Sequence, residues 1–191
     1  MSSRANRSQL RIIGGQWRGR KLGFSASPGL RPTTDRVRET LFNWLQPVIH
    51  QARCLDLYAG SGALGLEALS RGAAHCDFID TSADALRQIE QHLALLGAED
   101  RGHCHRTSAE AFLGGASRGY DIVFIDPPFG QDLVRSSCDL LCSRGLLLDN
   151  AHIYVETGAR EAPPATPADW TLHRDKTAGG VAYRLFIVGP G

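Results

Sequence analysis

No apolar run in the 191-residue chain reaches the roughly 20 residues that a bilayer-spanning helix needs, so no membrane span is expected. The segment Met1 to Arg11 is polar and basic and has no apolar centre, which argues against a secretory leader. Cysteine is scarce and scattered: Cys54, Cys76, Cys104, Cys138 and Cys142 are an odd number without regular spacing. They read as reduced thiols of a cytoplasmic protein rather than a disulfide framework. Cys138 and Cys142 lack a second pair at zinc spacing, so no metal is expected. Repeats, heptads and low-complexity tracts are missing, which excludes solenoids and coiled coils. No leftover apolar stripe marks a dimer surface, and a monomer is the expectation.

What is present is ordinary in amount and uneven in place. An apolar content of 42% and a charged content of 21% fit one globular domain with a small appendage. Net charge is +1, but residues 1–38 carry nine Lys and Arg against one acid, leaving 12 basic and 19 acidic residues in 39–191. A basic extension over 1–38 ahead of an acidic body over 39–191 points to nucleic-acid contact by the extension. Arg18, Arg20, Lys21, Arg31, Arg36 and Arg38 are the candidate contacts, with Trp17 and Phe24 interleaved as aromatic partners.

Ile12 to Leu22 reads as a glycine-punctuated hairpin and Pro28 to Pro32 as a linker. Thr33 or Thr34 then caps a helix, with Asp35 in its first turn. From residue 53 onward, strands (Cys54–Tyr58, Cys76–Asp80, His103–Thr107, Asp121–Asp126, His152–Thr157) alternate with helices (Ala63–Ser70, from Ser82 to Gly97, Ala109–Leu113, Asp132–Cys142). Trp170–Lys176 and Val181–Val188 flank Gly179-Gly180 as a terminal hairpin. Repeated β-α units predict an α/β, doubly wound, mostly parallel seven-stranded sheet that ends in an antiparallel hairpin. Ligands of such sheets sit at the carboxyl ends of the strands, beside the switch in strand order.

Two motifs fall there. Asp56-Leu-Tyr-Ala-Gly-Ser-Gly62 turns from strand to helix with few side chains in the way of a ligand. Gly60 to Gly65 also fits the dinucleotide pattern G-x-G-x-x-G, which is weak evidence alone. Asp56 decides against pyrophosphate: a carboxylate there suits a cationic methionyl ammonium. Asp80, 24 residues on, stands where an acid grips ribose hydroxyls. Ser108 and Ala109 follow the third strand, where an adenine edge is met, although Ser108 reads equally well as a helix cap. Asp126-Pro127-Pro128-Phe129 is the second motif. Its prolines remove two N–H donors, so the loop offers acceptors to an –NH2 group while Phe129 stacks on a flat ring. Together the motifs point to methyl transfer from S-adenosylmethionine to an exocyclic amine of a nucleic-acid base, flipped out of its stack. Glu156 closes a strand near this pocket, and its role is open between site and structure.

The chain resembles the bacterial 16S rRNA guanine-N2 methyltransferases of the RsmD family. The likeness spans nearly the whole chain, through Arg11 to Leu22, Arg31 to Leu45, Asp56 to Gly65, Asp126 to Phe129, Tyr154 to Glu156 and the terminal hairpin. It implies a Rossmann-like class I methyltransferase domain and one N2-methylation of a guanine in 16S rRNA. The implied substrate is the assembled or nearly assembled small ribosomal subunit, with ribosomal proteins helping to dock the enzyme. It also implies that Asp56, Ala59, Gly60, Gly62, Asp80, Ser108 and Ala109 bind the cofactor, and that Asp126, Pro127, Pro128 and Phe129 hold the guanine. Two positions depart from the family pattern: Asp80 stands where Glu is more usual, and Ser108 where Asn or Asp is; both keep polar contacts. The competing readings are a DNA adenine-N6 or cytosine-N4 methyltransferase, which lacks its usual target-recognition domain here, and a non-catalytic RNA-binding assembly factor. An NAD-dependent oxidoreductase accounts for neither Asp56 nor the proline loop.

If the extension neutralises phosphates, alanine at Arg18, Arg20 and Lys21 together will flatten the plot of log affinity against log salt. The expected change is about 0.7–0.9 for each phosphate left without its cation. Filter binding of RNA over a salt series measures this, and an unchanged slope removes these residues from the interface.

Overall fold

The alternation of buried strand runs with capped helices sets the architecture. The computed structural model describes residues 7–25 and 33–189; Arg31 and the Pro28–Pro32 linker lie outside that range. In chain order the elements are β1 (Arg7–Arg11), β2 (Lys21–Ser25), α1 (Asp35–Leu45), β3 (Arg53–Asp56), α2 (Ala63–Ser70), β4 (His75–Asp80) and α3 (Ala83–Leu96). There follow β5 (Gly102–Arg106), α4 (Ala109–Gly115), β6 (Tyr120–Ile125), α5 (Leu133–Ser143), β7 (Leu147–Gly158), β8 (Trp170–Ala178) and β9 (Val181–Val188).

The caps explain the boundaries. Thr34, not Thr33, caps α1 by accepting the Val37 N–H at 3.3 Å. Ser82 does the same for α3 from Ala85 at 3.2 Å, and Gly97 ends that helix in the left-handed region at φ 65°. Seven strands form one sheet in the order β5-β4-β3-β6-β7-β9-β8, parallel except for the β7–β9 and β9–β8 pairs. Strand order therefore switches between β3 and β6. This is the doubly wound, mostly parallel seven-stranded sheet with a terminal antiparallel hairpin that the β-α repeat predicts, and it agrees with the Rossmann-like domain that the resemblance implies.

Apolar side chains fill both faces of the sheet. One face packs Cys54, Phe78, Phe124 and Tyr154 under α1, α2 and α3; the other packs Leu55, Ile79, Val123 and Val155 under α4 and α5. β6 is covered on both sides, with Ile122 to Ile125 fully buried, hence its continuous apolar run. β7 begins five residues earlier than expected, at Leu147; Asn150, at φ 61°, accompanies a register shift against β6 that the alternation pattern does not betray.

The N-terminal hairpin differs from expectation in register. Its strands are β1 and β2, pairing Arg7 with Ser25 and Arg11 with Lys21, and most of the Ile12–Leu22 stretch is the connection. That connection includes a 3-10 turn, Gly15–Trp17, seated against the C-terminal end of α2. Gly15 is required there: at φ 77°, a Cβ would lie 2.0 Å from the Ser70 carbonyl oxygen. Leu10, Ile12, Trp17, Leu22 and Phe24 are buried in the same core as α1, α2 and α3. Trp17 and Phe24, expected to face RNA bases, thus face the protein instead; Arg101 covers the Trp17 ring at 5.3 Å.

Arg38 is a second correction. It is only 1% exposed, so it packs inside the protein rather than against RNA. Its guanidinium bonds Asp35 at 2.7 Å, the Arg11 carbonyl at 3.0 Å and Glu67 at 3.5 Å. Glu67, fully buried on α2, also accepts the N–H groups of Ile13 (2.9 Å) and Gly14 (2.8 Å) and the Arg71 guanidinium (2.9 Å). Four donors meet its two oxygens, which is the full capacity of a carboxylate.

Glu67→Ala takes one acceptor each from Arg38 and Arg71 and leaves the Ile13 and Gly14 N–H groups without theirs. We expect a stability loss of about 3–5 kcal/mol in urea unfolding. A loss below about 1 kcal/mol would mean that apolar contacts alone seat the hairpin.

Candidate active site

The carboxyl ends of β3 and β6 open into a cleft of about 1140 Å³, beyond the ~300–1,000 Å³ of an ordinary small-ligand pocket. That is room for a nucleoside-sized group and a second flat ring side by side. Its wall includes Asp56 at the end of β3 with Ala59 and Gly60 following, Asp80 at the end of β4, Ser108 and Ala109 after β5, and Asp126 to Phe129 after β6. The two sequence motifs are therefore brought together, and on adjacent strands.

Each side chain has a physical reason for its place. Asp56 is buried, and its Oδ2 accepts the Gly65 N–H at 3.1 Å, tying the strand end to the first turn of α2. Gly65 allows this closeness, since a Cβ there would sit 2.2 Å from Phe78. Burial pushes the Asp56 carboxyl up to about 7, with the Gly65 N–H opposing and the Asp80 charge adding. Asp80 binds the loop backbone itself: Oδ2 accepts the Gly60 N–H at 2.9 Å and Oδ1 the Ser82 N–H at 2.8 Å. Ser108 caps α4 by accepting the Ala111 N–H at 3.1 Å, and it also lines the cleft. Gly62 lies behind the wall; at φ 77° it starts α2, and a Cβ would meet Ile89 at 2.9 Å.

Two carboxylates in this part of the wall disfavour pyrophosphate. They suit a ligand that carries an ammonium and hydroxyls, with Leu57, Ala59, Ala109 and Leu140 as apolar cover. The donor set thus fits S-adenosylmethionine. At the other end Pro127 is buried, Pro128 is exposed and Phe129 is half-buried. Burial and the neighbouring Glu156 both push the Asp126 carboxyl well above the usual range.

The sequence reading missed part of the wall. Thr33 reaches both acids, its Oγ1 lying 3.3 Å from Asp126 Oδ2 and 3.4 Å from Glu156 Oε1. Tyr58 bonds Ser137 of α5 at 2.8 Å, and the β8–β9 turn adds Ala178, Gly179 and Val181. The paired threonines at 33 and 34 were the available signal for Thr33, once one of them is known to cap. Of the cations proposed for RNA, Arg36 is exposed and lines the cleft mouth. Arg18, Arg20 and Lys21 are exposed but do not line the cleft; they follow the Gly15–Trp17 turn that seats on the C-terminal end of α2. Among the described residues no cluster of His, Cys, Asp or Glu is arranged to hold a metal ion.

Comparison with known proteins agrees with this geometry. Residues 10–187 match the model of a family described as conserved hypothetical protein 95. Ribosomal RNA small subunit methyltransferase D of Escherichia coli strain K12 is 54% identical over 178 residues, covering 93% of this chain and 89% of that protein. The chain belongs to the RsmD family of methyltransferases. Its Haemophilus influenzae relative of the same name is 46% identical over 183 residues, covering 94% of each chain. Among solved structures, an Escherichia coli protein assigned provisionally to the methyltransferases superposes with a TM-score of 0.90 at 50% identity, covering 95% of this chain and 99% of that one. A more distant fold neighbour, SMU.776, has a TM-score of 0.73 at 14% identity over 98% of this chain and 57% of its own.

With burial pushing the Asp56 carboxyl up to about 7, an ammonium-bearing ligand is expected to have to displace its proton below that pH. Binding of S-adenosylhomocysteine, followed by calorimetry, is expected to strengthen up to tenfold per unit from about pH 5 to 7 and then level. Asp56→Asn should weaken binding and erase that dependence. A pH-independent affinity in the unaltered protein would take Asp56 out of contact with the ammonium.

Proposed function

We propose that the protein transfers a methyl group from S-adenosylmethionine to the exocyclic N2 of one guanine in 16S rRNA, on the assembled or nearly assembled small subunit. The observation that carries this is the meeting of Asp56 and the Asp126–Phe129 loop in one cleft, at the switch point of the sheet. The names of the relatives support a ribosomal RNA substrate, and SMU.776, which holds S-adenosylhomocysteine, supports the cofactor. Small subunits assemble in the cytoplasm, where we place the activity.

Bound in the cleft, S-adenosylmethionine supplies a methyl on a sulfonium sulfur that leaves as a neutral thioether. The protein's residues do the rest. Asp56 meets the cofactor ammonium, and Asp80 meets the ribose with the oxygen lone pairs left after holding the loop. Ser108 and Ala109 border the adenine. The guanine leaves its stack and lies against Phe129. Its amine lone pair is delocalised into the ring, and the nitrogen is a poor nucleophile until that pair is turned outward. Acceptors at Asp126 and the Pro127 carbonyl take the two N–H groups, align the lone pair and stabilise the positive charge that develops on nitrogen. Pro127 and Pro128 bring no N–H donor to compete for the amine. Arg36 receives phosphates beside the flipped base, and Arg18, Arg20 and Lys21 receive those farther along the RNA.

The test is transfer of radiolabelled methyl to small subunits from cells lacking the protein, with naked 16S rRNA and DNA in parallel. We expect label on subunits that digests to N2-methylguanosine. Label confined to DNA, or none on any nucleic acid, rejects the proposal. Asp126→Ala should lower turnover by about 10²–10³-fold while cofactor affinity is kept. Equal turnover in that variant would place the amine elsewhere.

A further inference from the structure

Asp126 and Glu156 both line the cleft and share one neighbour: the Thr33 hydroxyl lies 3.3 Å from Asp126 Oδ2 and 3.4 Å from Glu156 Oε1. The register of the sheet makes their closeness unavoidable. Ile125 of β6 pairs with Val155 of β7, so the next residue of each parallel strand stands abreast of the other. Two carboxylates side by side, one buried and the other half-buried, repel each other when both are charged, which favours a pair that shares one proton.

The surrounding donors decide which oxygen carries the charge. The Tyr154 hydroxyl, two residues back on the same face of β7, donates to Glu156 Oε1 at 2.6 Å. The Thr33 hydroxyl stands within reach of both acids. Tyr183 of β9 pairs with Glu156 across the sheet, and Asp56 at the end of β3 adds negative charge near Asp126. Arg36, on α1, is exposed at the mouth. The shortest bond goes to Glu156. Glu156 therefore keeps the charge, and Asp126 holds the proton and points it at Glu156. Burial raises both acids, but Tyr154, Asp126 and Thr33 each pull Glu156 back down, while Glu156 pushes Asp126 further up.

We propose that Asp126 and Glu156 work as one carboxyl pair holding a single proton, with Glu156 the positioning residue that orients Asp126 and finally takes up the proton lost by the substrate amine. This rests on the reading of Asp126 as the group that meets the amine. As the nitrogen–methyl bond forms, the methyl–sulfur bond breaks with its electron pair going to sulfur. One N–H bond then breaks, its electrons staying on nitrogen, and that proton goes to the Asp126 oxygen facing the base. The proton Asp126 already held crosses to Glu156. The pair ends neutral, the sulfonium charge is gone and the methylated amine leaves uncharged. Tyr154 and Thr33 hold Glu156 in place for the exchange.

The experiment is a carboxyl-carbon NMR titration of the full chain without substrate, beside single-turnover rates on small subunits. Glu156→Gln removes the neighbouring charge, so the Asp126 ionisation should fall by at least about one pH unit. An unmoved Asp126 titration overturns the pair. The same variant should lose about 10²-fold in single-turnover rate with cofactor and RNA dissociation constants unchanged. An unchanged rate overturns the role of Glu156. Tyr154→Phe, a milder change, keeps both acids and takes a donor from Glu156, raising its ionisation. The acid limb of the rate profile should then move to higher pH, and a limb that stays put also overturns the proposal. The outcomes separate this inference from the substrate assignment. A wrong substrate leaves the Asp126 shift intact while no guanine is labelled; a wrong pair leaves guanine labelled and the titration unmoved.

Discussion

The carboxylate of Glu67 is the constraint on which the other parts depend. It is buried on α2, the helix whose first turn closes the cofactor loop, and its four donors come from the N-terminal connection, from α1 and from the residue just after α2. A buried charge of this kind is tolerable only when every lone pair is used. The requirement therefore fixes three elements relative to one another. α1 is held by Arg38, the connection by Ile13 and Gly14, and the start of α2 by the helix they share. Once α1 is fixed, the residue just before its cap, Thr33, falls between the two acids of the cleft.

The sheet supplies the second constraint. Asp56, Asp126 and Glu156 stand at the carboxyl ends of three neighbouring parallel strands, β3, β6 and β7, and all lie on the face that carries Cys54, Phe124 and Tyr154. Side chains alternate along a strand, so three acids on one face at one level follow from register alone. Burial is the largest cause of the upward shift of both Asp56 and Asp126; the Asp80 charge adds to the first, and the charges of Glu156 and Asp56 to the second. The helices of the other face contribute Ser137 to the wall, bonded to Tyr58, and leave the acids untouched.

Much of this is legible in the amino-acid order, for reasons that also mark where legibility stops. Strand and helix alternation shows because burial on both faces gives β6 its unbroken apolar run, and because Ser82 and Gly97 bracket α3 with side-chain and backbone chemistry. The cofactor loop and Asp126-Pro127-Pro128-Phe129 show because glycine and proline impose backbone limits independent of context. Arg38 is misread because charge counted along a chain carries no information on burial; its partner Glu67 lies 29 residues away. Trp17 and Phe24 are misread because aromatic and basic residues alternate in any hairpin with one buried face, whether or not RNA covers the other. Thr33 passes for a cap because either of two adjacent threonines satisfies that pattern. The Asp126–Glu156 proximity depends on strand order and register, which local spacing does not encode.

The docking of the N-terminal hairpin has a consequence for how the chain comes into being. Its anchors lie far ahead in sequence: Ile13 waits for Glu67, 54 residues on, Ser25 for Gln88, 63 residues on, and Thr33 for Glu156, 123 residues on. At typical synthesis rates of about 5–20 residues per second, the hairpin leaves the ribosome several seconds before the helix that seats it. Throughout that interval Leu10, Trp17, Leu22 and Phe24 have no core to enter. The hairpin's apolar face therefore stays uncovered until segments made after it arrive, and it presents an adhesive, positively charged surface for as long as translation keeps α2 from following.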